Sequence, residues 1–152
     1  MKIAEALLIR ADVQKKLASL RDRIARSAVV QDGESPHEDP KKLLDEAFGV
    51  VKELESLVAK INAANLSATL PDGRTLMAAI AHRDALAAQH SLLQHAIASS
   101  HREPDRYSMS KIKWVAVLNV ASLQRQTEDL AKSIRELNAA IQETNWKVEI
   151  AD

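Results

Sequence analysis

Two stretches of this sequence carry apolar residues at alternating spacings of four and three, the pattern that aligns side chains along one side of a helix. The first of these seams consists of Leu43, Ala47, Val50, Leu54, Leu57, Ile61 and Ala64. The second contains one threonine and consists of Val120, Leu123, Thr127, Leu130, Ile134, Leu137 and Ile141. Seams of this length indicate long helices that pack against other helices. The leucines that we expect to be almost fully buried are Leu54, Leu57, Leu130 and Leu137.

Polar segments that contain proline or glycine divide the chain into four predicted helices. These helices cover residues 3–29, 40–65, 76–100 and 120–144. Asp39 and Thr75 stand immediately before two of them, and both residue types cap helix N-termini. Pro40 suits the first position of a helix because its missing N–H would have no partner there.

Three short segments have the pattern of β structure instead. Apolar and polar residues alternate from Leu66 to Thr75 around a Pro-Asp-Gly turn, which predicts a small hairpin. The β-branched and aromatic run Ile112–Val117 and the alternating tail Lys147–Ile150 predict two short strands. We therefore expect a mainly α protein, an antiparallel four-helix bundle of long helices with a small β hairpin or sheet appendage at one end. Its 152 residues are the size of one domain, so we expect a single domain over residues 1–152.

The charge balance argues against a nucleic-acid partner. Lysine plus arginine and aspartate plus glutamate both total 21, so the formal net charge is zero. The local basic and aromatic cluster consists of Arg102, Arg106, Lys111, Lys113 and Trp114. Lysines beside a predicted strand also serve to discourage edge pairing, so we do not expect nucleic-acid binding.

Composition and spacing also give no reason to expect a metal or a cofactor. The chain has no cysteine, which excludes thiolate nucleophiles and cysteine-based zinc sites and suits a reducing cytoplasm. His82, His90 and His95 are eight and five residues apart, and neither spacing is the four-residue spacing by which one helix binds zinc. No apolar run approaches the roughly 20 residues of a membrane-spanning helix, so we expect a cytoplasmic protein with no membrane partner.

Several charged residues lie on or beside the predicted apolar seams. Buried charge is costly unless it is paired, so such residues either form ion pairs that fix helix register or line a pocket. The first alternative makes them structural and the second makes them candidates for an unidentified small-molecule ligand. The residues are Glu5, Arg10, Arg83, Asp84, Lys132 and Arg135.

The predicted β segments also suggest an oligomer interface. A sheet this small leaves unpaired backbone groups at its edges, and tryptophan is enriched at the energetic centres of interfaces. We therefore expect a symmetric homo-oligomer. The interface candidates are Leu66, Leu70, Trp114 and Trp146.

Several sequence blocks, in the same order along nearly the whole chain, resemble an uncharacterised bacterial helical family, some of whose members are labelled septicolysin. The blocks are residues 4–12, 31–36, 62–69, 72–76, 82–84, 106–108 with 112–113, and 143–146. The label implies a membrane-lysing toxin, but the sequence shows neither an export signal nor a segment suited to insertion.

Three roles follow from these observations. The leading one is a non-enzymatic, self-associating protein with an assembly or scaffold role. A small-ligand or enzymatic protein that uses the charged helix positions is the alternative, and a cytolysin is the third.

Overall fold

Four helices make up the regular structure of the protein in a computed structural model, which describes residues 1–101 and 112–150. They are α1 (Ile3–Ser27), α2 (Pro40–Ser67), α3 (Leu76–Ser99) and α4 (Val120–Lys147). The predicted mainly α class is confirmed, and each predicted helix end lies within three residues of the observed one.

The chain forms two compact units. One unit comprises Met1–Thr69 and Gln142–Asp152, and the other comprises Leu70–Ile141. The first unit therefore contains α1, α2 and the last turns of α4, whereas the second contains α3 and most of α4. The expectation of a single domain stays a prediction.

The first unit is built on an antiparallel pair formed by α1 and α2. Lys16 lies 3.5 Å from Glu46 of α2, and Arg23, further along α1, donates hydrogen bonds of 3.1 and 3.0 Å to Glu38, just before α2 begins. Later residues of α1 thus contact earlier residues of the chain around α2, as an antiparallel pair requires. The buried core between the two helices consists of Val13, Leu20, Leu43, Ala47 and Val50, with Leu17, Ile24 and Leu54 packed against it. Most of the predicted seam of α2 is therefore buried.

The two ends of the chain meet in the first unit. The Ile3 amide donates to the Val148 carbonyl at 3.0 Å, and the Ile150 amide donates to the Met1 carbonyl at 2.8 Å. Lys2 and Glu149 form an isolated antiparallel bridge, and their side chains form an ion pair of 2.9 Å. The predicted strand over residues 147–150 is thus a single bridge rather than part of a sheet.

The predicted β appendage is wrong for the part of the chain that the structure describes, which contains no strand. Helix α2 continues to Ser67, and a tight turn follows in which the Gly73 amide donates to the Leu70 carbonyl at 2.9 Å. Thr75 then caps α3 by accepting from the Ala78 amide at 3.2 Å. Residues 112–117 have no ladder partner in the described part of the chain, and they form no strand despite their β propensity.

The seam leucines are buried to different degrees. Leu57 and Leu137 are buried, as predicted, whereas Leu54 and Leu130 are half-buried. The N-terminal two thirds of the α4 seam is also half-buried throughout. Contact with one neighbouring helix covers only one side of a seam, so a two-helix unit leaves part of each side chain accessible.

Two glycines give opposite expectations for replacement by alanine. Gly73 has φ of +86°, a conformation that costs an L-residue about 1–2 kcal/mol, so Gly73→Ala should lower the free energy of unfolding by about that amount. Gly49 lies inside α2 with open space where an alanine methyl group would stand. Gly49→Ala should therefore raise the free energy of unfolding by roughly 0.5–1 kcal/mol. Urea unfolding of the two variants measures both changes, and a stabilising Gly73→Ala would contradict the turn geometry.

Candidate functional site

A polar pocket of about 300 Å³ lies in the second unit, and residues from three segments line it. The turn before α3 forms one wall, α3 forms the second and α4 forms the third. The lining residues are Asp72, Arg74, His82, Leu86, Ser133, Glu136, Leu137 and Ala140.

The turn wall is held in place by hydrogen bonds between Asp72 and Arg74. The Asp72 carboxylate accepts from the Arg74 amide at 3.0 Å and from the Arg74 guanidinium at 2.8 and 2.6 Å. The bonds from the Arg74 side chain hold the pKa of Asp72 below its ordinary value of 3.8. An aspartate that bonds to an amide two residues later is a common turn device, so the local sequence itself fixes the guanidinium at the pocket.

The helix walls follow from helical spacing. His82 and Leu86 are four residues apart on α3, and the four α4 residues lie at intervals of three, one and three, which places them on one face. The helices thus contribute the His82 imidazole, the Ser133 hydroxyl and the Glu136 carboxylate to the pocket. The Arg74 guanidinium lines the same small space. Such a pocket suits a small polar molecule that carries both positive and negative groups.

The sequence-predicted charged residues of α3 and α4 do not line this pocket, whereas residues adjacent to them in the sequence do. Arg83 donates to Asp84 at 3.0 and 2.7 Å, and Lys132 lies 3.9 Å from Glu136 one turn along α4. Arg135 is exposed. A ligand role for Arg83, Asp84, Lys132 and Arg135 stays a prediction.

The other two charged candidates belong to α1 in the first unit. Glu5 accepts a hydrogen bond of 2.7 Å from the Lys2 amide, which satisfies one of the free amides at the start of the helix. Arg10 is half-buried, and its Nε atom is buried with no hydrogen-bond partner among the described residues. A ligand role for Glu5 and Arg10 also stays a prediction.

The interface candidates differ in accessibility. Leu66, Trp114 and Trp146 are exposed, whereas Leu70 is buried within the chain at 4% exposure. Trp114 lines a cavity of about 930 Å³ together with Leu92, His95 and several apolar residues of 115–118. Their participation in an interface stays a prediction.

A second apolar stripe on α2 was not predicted. Leu44, Phe48 and Val51, here called the outer stripe, are 41%, 62% and 45% exposed. They lie next to the buried seam that contacts α1, and their spacings of four and three repeat its pattern. The spacing of the outer stripe is visible in the sequence, but the seam beside it is longer and was the pattern from which the contact face was predicted.

Three further predictions concern nucleic acid, membranes and metal ions. Lys113 and Trp114 of the basic cluster are described, whereas Arg102, Arg106 and Lys111 lie outside the described residues. Across the described ranges, no helix combines the length and the apolar character that crossing a membrane requires. No group of three or more histidine, aspartate or glutamate side chains in these ranges is arranged to hold a metal ion.

Comparison with known proteins identifies relatives over almost the whole chain. A family described as "Family of unknown function (DUF6847)" matches residues 10–150. A crystal structure described as a functionally unknown conserved protein from Corynebacterium diphtheriae is 32% identical, covers 99% of each chain and has a TM-score of 0.91. No curated protein matches.

The ion pair in the turn predicts a specific pH dependence. Because folding lowers the pKa of Asp72, the pair contributes stability above the ordinary value of 3.8, and this contribution is lost as the pH falls through the folded value. We expect Asp72→Asn to lower the melting temperature near neutral pH, and the gap from wild type should close as the pH falls from above 3.8 through the lowered pKa of Asp72. Thermal melts across this range measure the gap. Asp32→Asn, in the α1–α2 connection, is the matched control, and a pH-independent gap for Asp72→Asn would contradict the prediction.

Proposed function

The chain belongs to a family of unknown function, DUF6847, and we propose that it is a non-enzymatic helical protein that self-associates in the cytoplasm in an assembly or scaffold role. The observation that carries the proposal is the outer stripe of α2, an apolar helical face beside a buried one. Single exposed apolar side chains are ordinary on protein surfaces, but three on consecutive turns of one helix face form a patch of the kind that marks interaction sites.

The energetics of the stripe support association. Burial of apolar surface contributes roughly 25 cal/mol per Å², and an aromatic side chain presents a large area for its conformational entropy. Phe48 is the most exposed member of the stripe, and its neighbours are aligned to share a partner with it. A second helix on this face would cover all three side chains at once.

Exposed residues elsewhere on the chain offer further contact sites in an assembly. Leu66 and Trp146 belong to the first unit and Trp114 to the second, and each is more than half exposed. Large aromatic anchors of this kind suit a protein that makes several contacts in an assembly. We keep Leu66, Trp114 and Trp146 as further interface candidates.

Ligand binding is the second candidate function, and the polar pocket of the second unit favours it. The pocket combines a fixed guanidinium with an imidazole and two carboxylates in about 300 Å³. This is enough for a small polar ligand, and it is compatible with a protein that also self-associates. The cytolytic role that the septicolysin resemblance implies has no support from the described helices or from the relatives.

Replacement of Phe48 by a charged residue tests self-association directly. We expect multi-angle light scattering at tens of micromolar to give a mass above that of one chain for wild type. Phe48→Glu should shift the protein to the mass of one chain, because a carboxylate would have to be buried without a partner. Leu8→Glu changes an equally exposed apolar residue of α1 and should leave the mass unchanged.

A wild-type protein that has the mass of one chain at this concentration would overturn the proposal. If Trp114→Ala lowers the mass and Phe48→Glu does not, association occurs through the second unit instead.

A further inference from the structure

The outer stripe of α2 continues to Glu55 with the spacing that is typical of a contact between two helices. Leu44, Phe48, Val51 and Glu55 follow one another at spacings of four, three and four. Those spacings are typical of a helix that packs along another helix at a small angle. The adjacent seam already packs against α1, so the outer stripe is the face of α2 that remains for a second helix.

Resting on the proposed self-association, we propose that the partner is a second copy of the chain, with the two α2 helices antiparallel about a two-fold axis between Phe48 and Val51. A two-fold contact requires a surface that is complementary to itself. The antiparallel arrangement places Phe48 of each copy against Val51 of the other, in two equivalent layers. Leu44 then lies against the methylene groups of Glu55 in the second copy.

Charge complementarity supports this occupant and this orientation. Asp45 and Lys52 follow Leu44 and Val51 directly, and their separation of seven residues places both on the same flank of the stripe. Antiparallel pairing brings Asp45 of each copy to Lys52 of the other, which forms two ion pairs. A parallel two-fold pair would instead place this flank of one copy on the opposite side of the contact from the same flank of the other, so Asp45 and Lys52 would have no charged partner across the interface.

Both side chains are available for such a contact. Asp45 and Lys52 are exposed, and neither takes part in an ion pair among the described residues. Glu46, the next residue to Asp45, pairs with Lys16 of α1 and so belongs to the intrachain contact. The flank that carries Asp45 and Lys52 therefore differs from the flank that α1 occupies.

The size of the contact sets its strength. Three apolar side chains per copy make a small interface, well below that of an obligate dimer. We therefore expect a dimer whose population depends on protein concentration and weakens with added salt, because the ion pairs lie at the rim of the contact.

Charge reversal tests the orientation. We expect Asp45→Lys and Lys52→Asp each to weaken dimerisation by about tenfold at low salt, measured by sedimentation equilibrium, because each places two like-charge pairs in the interface. The double variant with both reversals should restore the wild-type dissociation constant. Glu53→Lys makes a charge reversal one residue from Lys52, off the contact, and should have little effect.

The remaining outcomes separate the two proposals. A dimer that Phe48→Glu abolishes, but in which the double variant associates as weakly as the single variants, keeps self-association and overturns the antiparallel pairing. A dimer that is indifferent to the charge variants and to Phe48→Glu overturns the α2 contact and leaves association at another surface. A wild-type monomer overturns both proposals.

Discussion

One helix can bury only one stripe of its surface against one neighbour, and α2 has apolar residues on two adjacent stripes. The inner seam packs against α1 and forms the core of the first unit, with Leu43, Ala47 and Val50 buried. The outer stripe of Leu44, Phe48 and Val51 stays exposed after that contact is made. A second helix is the simplest means of covering it, and this constraint leads from the helix pair to the proposal of self-association.

Local polar contacts fix the ends of the helices and the pocket of the second unit. Asp39 accepts from the Lys41 amide at 2.9 Å, and Asn119 accepts from the Ser122 amide at 3.1 Å, so α2 and α4 begin with capped amides. The same chemistry in the 70–74 turn orients Arg74 toward the pocket. These contacts are exposed, so they position groups more than they stabilise the fold.

The helices were predictable from the sequence because their signals are local. Residues such as Asp39, Pro40 and Thr75 act within one turn of where they stand, and the observed helix starts agree with them. The β appendage was not predictable in the same way. A strand needs a partner elsewhere in the chain, and residues 112–117 have none among the described residues.

The pocket was missed for a related reason. Its charged members come from segments more than 50 residues apart in sequence, so their proximity depends on tertiary packing. The sequence did single out the neighbouring charges Arg83, Asp84 and Lys132, because they lie near the seams. A shift of one residue around a helix moves a side chain by about 100°, which separates a pocket wall from an exposed flank.

The most direct test of the antiparallel α2 contact is the distance between spin labels in the two copies. The chain has no cysteine, so single cysteines at Glu53 and at Lys60 can each carry one label. Both positions lie on the same exposed face of α2. In an antiparallel pair, the distance along the helices between the same residue in the two copies grows by about 3 Å for each residue further from the two-fold axis. The two labels at Lys60 should therefore be clearly further apart than the two labels at Glu53. Equal distances at the two positions would indicate a parallel pair and contradict the account.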